Sequence, residues 1–293
     1  MPTLKARRDE ALGGPPGQVR VELASVTKRF LSPTGTVFTA ISDVTMSVGA
    51  GQFCAVVGPT GCGKSTMLSM VSGLDRPSGG AIRVNGAPVR GIVDGVGFMF
   101  QADALLPWKS VLHNVSLGPT FHRMDKRQAK DLARDWIRRV GLSGFEDHYP
   151  HQLSGGMRKR AAMAAALINE PSILLMDEPF GALDVQTKAI MSDELLTLWD
   201  QSRPSVLFIT HDLEEAIYLA DQVVVMTASP GRIKAVYEID LPRPRGTAQQ
   251  LRFHPRFVEL QRRIWESLRD EVQRAYQRSA TGTPVTAAEG REL

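Results

Sequence analysis

The densest chemistry in this sequence lies in Gly58, Pro59, Thr60, Gly61, Cys62, Gly63, Lys64, Ser65 and Thr66, which fit the pattern G-x-x-x-x-G-K-[ST]. Glycines at those places let successive backbone N–H groups converge on phosphate oxygens at the positive end of a helix, where side chains would block the approach. Lys64 adds a cation toward the β- and γ-phosphates, the Ser65 hydroxyl suits a Mg²⁺ ligand, and Thr66 suits an inner phosphate. The competing interpretation is a glycine-rich turn with a solvated lysine, and the flanks argue against it. Phe53 to Val57 is an apolar run that predicts a buried strand before the loop. Met67, Leu68 and Val71 fall at helical spacing after it, and Gly73 is placed to end that helix. Cys62 lies inside the loop at a helix N-terminus, a setting that lowers a thiol pKa, so a reactive thiol is expected there.

A second set of groups sits where other apolar runs end. Ile173 to Met176 leads into Asp177 and Glu178, and the carboxyl end of a buried strand is where an α/β sheet places its ligand chemistry. Side chains alternate along a strand, so the two acids cannot share one role. Asp177 suits the Mg²⁺ shell and Glu178 a general base for an attacking water. Val206 to Thr210 ends at His211, and Gly95 to Phe100 ends at Gln101. Taken alone, each is as readily a structural residue as a catalytic one. Phe30, before a loop, reads equally as a ring for stacking on a nucleobase or as ordinary packing. Leu153-Ser-Gly-Gly opens an alanine-rich helix: Ser154 is a natural N-cap, and Gly155 and Gly156 leave N–H groups bare. That is either a capped helix or a second anion site.

The elements that must position these groups form one α/β chain. At 293 residues and 43% apolar content it can bury a full core. Residues 1 to 18, rich in charge, Gly and Pro, read as a mobile extension. Val19 to Ser25 predicts an edge strand, and with Thr36 to Val48 and Ala81 to Val84 it suggests a small antiparallel sheet. Asp125 to Asn169 is helical and expected to form its own lobe, within a subdomain of about 102 to 170. A helix from about Thr187 to Gln201 is expected to bury Ile190, Leu195 and Leu198. Val223 to Met226 predicts a last parallel strand, followed by a hairpin about Gly231. In the segment 243 to 278, Phe257, Leu260, Ile264, Leu268, Val272 and Tyr276 form a helical stripe with arginines between. Residues 279 to 293 read as disordered.

Composition narrows the function classes. No apolar run approaches the roughly 18 residues of a membrane span, and the first residues lack the apolar stretch of a secretion signal, so a cytoplasmic location is expected. Cys54 and Cys62 are too few for a disulfide scaffold and are not at metal-ligand spacing. From Leu241 to Leu293 there are ten arginines against six acids, which accounts for the whole formal charge of +4. A basic tail on a balanced body reads as a solvated or membrane-proximal surface, and nucleic acid is not expected as a partner.

With these motifs in fixed order, residues Val19 to Met226 resemble the ATP-binding subunits of ABC transporters. The resemblance implies an ABC-type phosphate-loop ATPase over 19–242, with a mainly parallel core sheet, a small antiparallel subdomain and a helical subdomain. It makes Phe30 the A-loop aromatic, Gly58 to Thr66 the Walker A loop, and Gln101 the Q-loop glutamine, which also reaches the metal. Leu153 to Gly156 matches the signature, Ile173 to Asp177 Walker B, Glu178 the catalytic base, Asp184 the D-loop and His211 the H-loop. ATP and Mg²⁺ follow, as does head-to-tail pairing of two copies, or of two ATPase subunits. Ser154, Gly155, Gly156 and Asp184 of one chain would then meet the ATP held by the other. The implied partners are transmembrane permease subunits, and indirectly a solute-binding protein, at the cytoplasmic face of the inner membrane.

Within the family, Met157-Arg158, Ala228 to Ile233, Leu241 to Arg245 and the Trp265 helix look like the nitrate, sulfonate and taurine importer group. The sequence departs from the common pattern at Met157, Lys159 and Phe30, where glutamine, another residue and tyrosine are commoner. The alternative function is a soluble ABC ATPase acting on nucleic acid or the ribosome. Such chains usually carry two ATPase halves or a long coiled coil, and here there is one set of motifs and no sustained heptads. A phosphate-loop kinase would leave Leu153 to Gly156 unexplained. The apolar Leu105, Leu106, Pro107 and Trp108 after Gln101 suit a permease surface.

Overall fold

The computed structural model describes residues 18–32 and 35–281. The extension expected over 1–18 lies outside the described residues except for its last member, as does the tail beyond Thr281. The chain divides into two compact units.

The unit carrying the phosphate loop comprises the described residues up to Asp94, then Ser205–Gly246, and the chain from Gln250 onward. Its antiparallel sheet contains β1 (Val19–Leu31), β2 (Val37–Gly49), β4 (Gly79–Val84) and β5 (Ala87–Pro88) in the order β2-β1-β4-β5. β1 therefore lies inside the sheet and is not the expected edge strand, because its thirteen residues hydrogen-bond β2 on one side and β4 on the other. Alternation alone could not reveal this: it reports that one face is buried and says nothing about how many neighbours a strand has.

In the same unit β3 (Phe53–Val57) runs parallel to both β8 (Ser205–Ile209) and β9 (Gln222–Met226), and β10 (Ile233–Glu238) returns antiparallel beside β9. Every residue of β3 and β8 is buried. Continuous apolar runs of this kind are what a parallel sheet covered on both faces requires. Each fully buried Val, Leu or Phe in them contributes about 1.5–3 kcal/mol of burial free energy. Helix α1 (Lys64–Val71) follows the phosphate loop, and α6 (Leu213–Leu219) and α8 (Pro255–Thr281) complete the unit.

Helix α8 begins where the stripe predicts and continues beyond residue 278 to Thr281. Phe257, Leu260, Ile264 and Leu268 are buried, but Val272 and Tyr276 are exposed. At Glu271 the stripe gives way to a buried carboxylate. Glu271 accepts from Lys234 Nζ at 2.9 Å, from the Ala228 N–H at 3.0 Å and from Arg274 Nη1 at 3.0 Å, which ties the helix to the hairpin.

The second unit spans Gly95–Pro204 with Thr247–Gln249. Its strands β6 (Val96–Met99) and β7 (Ile173–Asp177) pair in parallel. Its helices are α2 (Val111–Phe121), α3 (Lys126–Arg139), α4 (Gly155–Leu167) and α5 (Val185–Ser202); a short helix α7 (Ala248–Leu251) follows later in the chain. In α5 the buried face carries Met191, Leu195, Leu196, Leu198 and Trp199, whereas Ile190, expected in the core, is exposed. Leu195 and Leu198 share an arc with Met191, and Ile190 falls one residue, about 100°, outside it.

Candidate functional site

Register explains why polar groups gather at strand ends. In the phosphate-loop unit, β3 pairs with β8 through Val56↔Ile209 and with β9 through Val57↔Val225. Gly58 and His211 therefore both begin just past aligned strand ends, and the Thr210 N–H donates to Val56 O at 3.3 Å. Parallel strands ending together present loops side by side at their carboxyl ends, the usual ligand edge of such sheets.

The loop enters its helix without a side-chain cap. Five other helices start on a side-chain cap: Ser110, Asp125, Ser154, Asp184 and Asp212 each accept a backbone N–H of the first turn. Helix α1 instead starts on Gly63, in the left-handed region at φ 95°, with no side-chain cap. Its first N–H groups carry the helix dipole's positive end and suit an anion. Glycine is required at 63 twice over, because a Cβ would also lie 2.6 Å from Ile41 Cγ1 and 3.0 Å from Ala40 O. Lys64 Nζ is buried and donates to Gly58 O at 2.8 Å and Pro59 O at 3.0 Å, so the loop's own carbonyls hold the ammonium over the cradle. Ser65 is exposed at the helix start and Thr66 half-buried.

Cys62 corrects one expectation. Its side chain is fully buried, and burial pushes the thiol up, outweighing the opposing pull of the Lys64 charge and the backbone N–H groups. The helix N-terminus does not make it a reactive thiolate, because desolvation of the anion is the larger effect.

In the second unit the pairing Met99↔Met176 aligns β6 with β7, so Gln101 and Glu178 emerge two residues beyond the same rung. Gln101 Nε2 lies 3.4 Å from Glu178 Oε2. Asp177 is buried and Glu178 half-buried, with Glu178 at φ 42°. A non-glycine residue held in that left-handed region costs of order 1–3 kcal/mol, and such outliers gather at functional sites. Strand alternation and this backbone turn give the two acids different surroundings.

The signature segment is a capped helix start: Ser154 Oγ accepts the Met157 N–H at 3.3 Å, with Gly155 and Gly156 in the first turn. Asp184 caps α5, and hydrogen bonds from the Thr187 N–H and hydroxyl hold its carboxyl below the ordinary range.

Sequence reasoning missed the clip behind Gln101. Lys159, noted there only as a departure, is 3% exposed. It donates to the backbone carbonyl of Gln101 at 2.6 Å and pairs with Asp103 at 3.0 Å. Arg158 binds the other Asp103 oxygen at 2.8 Å and Leu153 O at 2.8 Å. The first two turns of α4 thus grip the segment that follows β6, and nothing in local periodicity signals a buried ammonium. Beyond Gln101, Trp108 stands 70% exposed.

For Mg²⁺, the chain offers hard oxygen donors, the exposed Ser65 hydroxyl and the Asp177 carboxylate, the donor type that ion takes. Among the described residues no group of three or more His, Cys, Asp or Glu is arranged to hold a metal unaided.

Comparisons with known proteins identify the family. Residues 41–181 match the ABC transporter family. An uncharacterized ABC transporter ATP-binding protein of Methanocaldococcus jannaschii is 43% identical over 255 residues, covering 87% of this chain and 93% of that protein. An aliphatic sulfonates import ATP-binding protein of Bacillus cereus is 40% identical over 225 residues, covering 77% and 88% respectively. Among solved structures, a dimeric ATP-binding cassette in a post-hydrolysis state with ADP and Pi superposes with a TM-score of 0.68. It is 29% identical, and the match covers 76% of this chain and all of that one.

The protein is an α/β nucleotide-hydrolysing cassette. It belongs to the ATP-binding proteins of the ABC transporter family, and its activity is ATP hydrolysis.

Proposed function

We propose that the chain energises an ABC importer for an aliphatic sulfonate or a related small solute such as taurine or nitrate. Two copies would work as an ATP-sandwich dimer docked on membrane permease subunits at the cytoplasmic face of the inner membrane. The observation that carries the cargo reading is 40% identity to a sulfonate-import ATPase over nearly the whole of that protein. The pairing is supported by the dimeric state of the neighbouring cassette, and the docking by the exposed Trp108 region beyond Gln101. Among the described residues no helix is long and apolar enough to cross a membrane, so attachment through a permease suits the chain.

The residue roles are those the family resemblance implies, and the geometry is compatible with them. Phe30 stacks on the base. The loop from Gly61 to Thr66, opening a helix with no side-chain cap, cradles the phosphates, and Lys64 turns from the loop carbonyls to the β- and γ-oxygens. Glu178, poised beside Gln101, orients and deprotonates the attacking water; His211 contacts the γ-phosphate. Ser65, Gln101 and Asp177 would hold Mg²⁺, which when bound offsets the charge developing on the phosphoryl oxygens. Ser154, Gly155, Gly156 and Asp184 complete the site of the partner copy, so turnover requires closure. Positioning of this kind supplies most of the acceleration in phosphoryl transfer.

A deletion strain grown with ethanesulfonate or taurine as sole sulfur source, or nitrate as sole nitrogen source, tests the cargo. Loss of growth on one of them, restored by the wild-type chain and not by Lys64→Ala, is the expected result. Unimpaired growth on all three would remove the assignment.

A further inference from the structure

Phe30 does not stand alone at the end of β1. Lys28, two residues before it on the same strand, places its ammonium over the Phe30 ring, 4.8 Å from the centroid. That ammonium is anchored from elsewhere: it donates to Asp75 Oδ1 at 2.6 Å and to Arg76 O at 2.9 Å, and the Lys28 side chain is only 11% exposed. Asp75 lies just beyond α1, and its own N–H donates to Ser69 O at 3.1 Å in that helix. The join is reinforced by Arg29 N–H to Ser78 Oγ at 3.0 Å and Ser78 N–H to Thr27 O at 2.8 Å. β1 shifts register on both sides of Lys28, and bulges of this kind re-aim side chains. Phe30 keeps 40% of its surface open, so the ring is available to a ligand while the cation stays over it.

From this arrangement we propose that Lys28, clamped by Asp75, is a positioning residue for nucleobase binding. It fixes the Phe30 ring from behind and draws its π density toward the covered face, which favours stacking of an electron-rich purine on the open one. The inference rests on the reading of Phe30 as the base-stacking residue. A ring fixed in advance loses less freedom when the base arrives, so the gain appears as affinity. Because the clamp reaches the segment after α1, the base platform and the phosphate helix are held in one frame.

The test compares two ligands, ATP and inorganic tripolyphosphate, each titrated calorimetrically with Mg²⁺ into the full chain and its variants. Lys28→Met and Asp75→Asn are expected to weaken ATP about three- to tenfold and leave tripolyphosphate unchanged. Lys28→Arg, which keeps a cation over the ring, should retain most of the ATP affinity. Phe30→Ala serves as the reference for the base reading. If Phe30→Ala weakens ATP while Lys28→Met does not, the positioning role fails and the base reading stands. Unchanged ATP affinity in Phe30→Ala overturns both. Equal weakening of both ligands by Lys28→Met overturns the proposal, because Lys28 would then be acting on the phosphate loop.

Discussion

Substituting Gly231 by alanine tests how the phosphate loop is held. Gly231 lies between β9 and β10; its N–H donates to Ala40 O at 2.9 Å, and Ser42 N–H donates to its carbonyl at 3.0 Å. A Cβ at this position would stand 2.0 Å from the carbonyl oxygen of Cys62 and 2.8 Å from Met226 Cε. The methionine can swing away; the carbonyl belongs to the loop backbone directly before Gly63 and Lys64. Relieving the clash to about 3 Å requires roughly 1 Å of movement in the loop or the hairpin. Overpacking on this scale costs about 1–3 kcal/mol of stability, and a misplacement of about 1 Å at a catalytic group costs on the order of 100-fold in rate. The expected outcome for Gly231→Ala is a kcat/KM for ATP hydrolysis lower by about two orders of magnitude, with Tm down by several degrees. Gly91→Ala, whose Cβ meets nothing within 4 Å, should match wild type. A folded Gly231→Ala protein with wild-type kcat/KM would refute the argument that the hairpin turn sets the loop's position.

Two further outcomes follow from burial. Burial alone would raise the Glu271 carboxyl, but hydrogen bonds from Lys234 and the Ala228 N–H, with the Lys234 and Arg274 charges, hold it below its ordinary value of 4.5. A carboxylate depressed in the folded state stabilises fully above that value, and the contribution fades as pH falls through the folded one. Glu271→Gln should therefore cost about 3 kcal/mol in urea unfolding at pH 7, with the difference shrinking below pH 4.5. A difference that stays constant down to pH 3 would remove the ion-pair explanation. For the cysteines, burial pushes Cys54 up to about 12 and also raises Cys62, so neither thiol should label quickly with a disulfide reagent in the native protein. Fast stoichiometric labelling of Cys62 would show that the loop opens readily.

How much of this was legible beforehand depended on whether a signal was local. The strand-loop-helix about Lys64 was legible because the glycine pattern, the apolar run and the helical spacing agree within twenty residues. The parallel strands ending at Gln101, Asp177 and His211 were visible as apolar runs closing on a polar group. What periodicity could not show was pairing across the chain. β1 reads as an edge strand from its alternation yet has two partners, and Ile190 fits a helical pattern but turns outward. The same limit hid Lys159, whose buried ammonium makes sense only beside Asp103 and the Gln101 carbonyl, 56 and 58 residues away. Cys62 failed for a different reason: the helix dipole was visible in the sequence and the desolvation opposing it was not.

In the proposed cycle ATP is clamped between two copies, and its hydrolysis, with Glu178 as base, reopens them. Light scattering of Glu178→Gln, with and without ATP and Mg²⁺, tests it most directly. The expected result is a monomer without nucleotide, a stable dimer with ATP, and turnover reduced at least a hundredfold. A Glu178→Gln protein that stays monomeric with ATP bound, or that hydrolyses ATP at the wild-type rate, would contradict it.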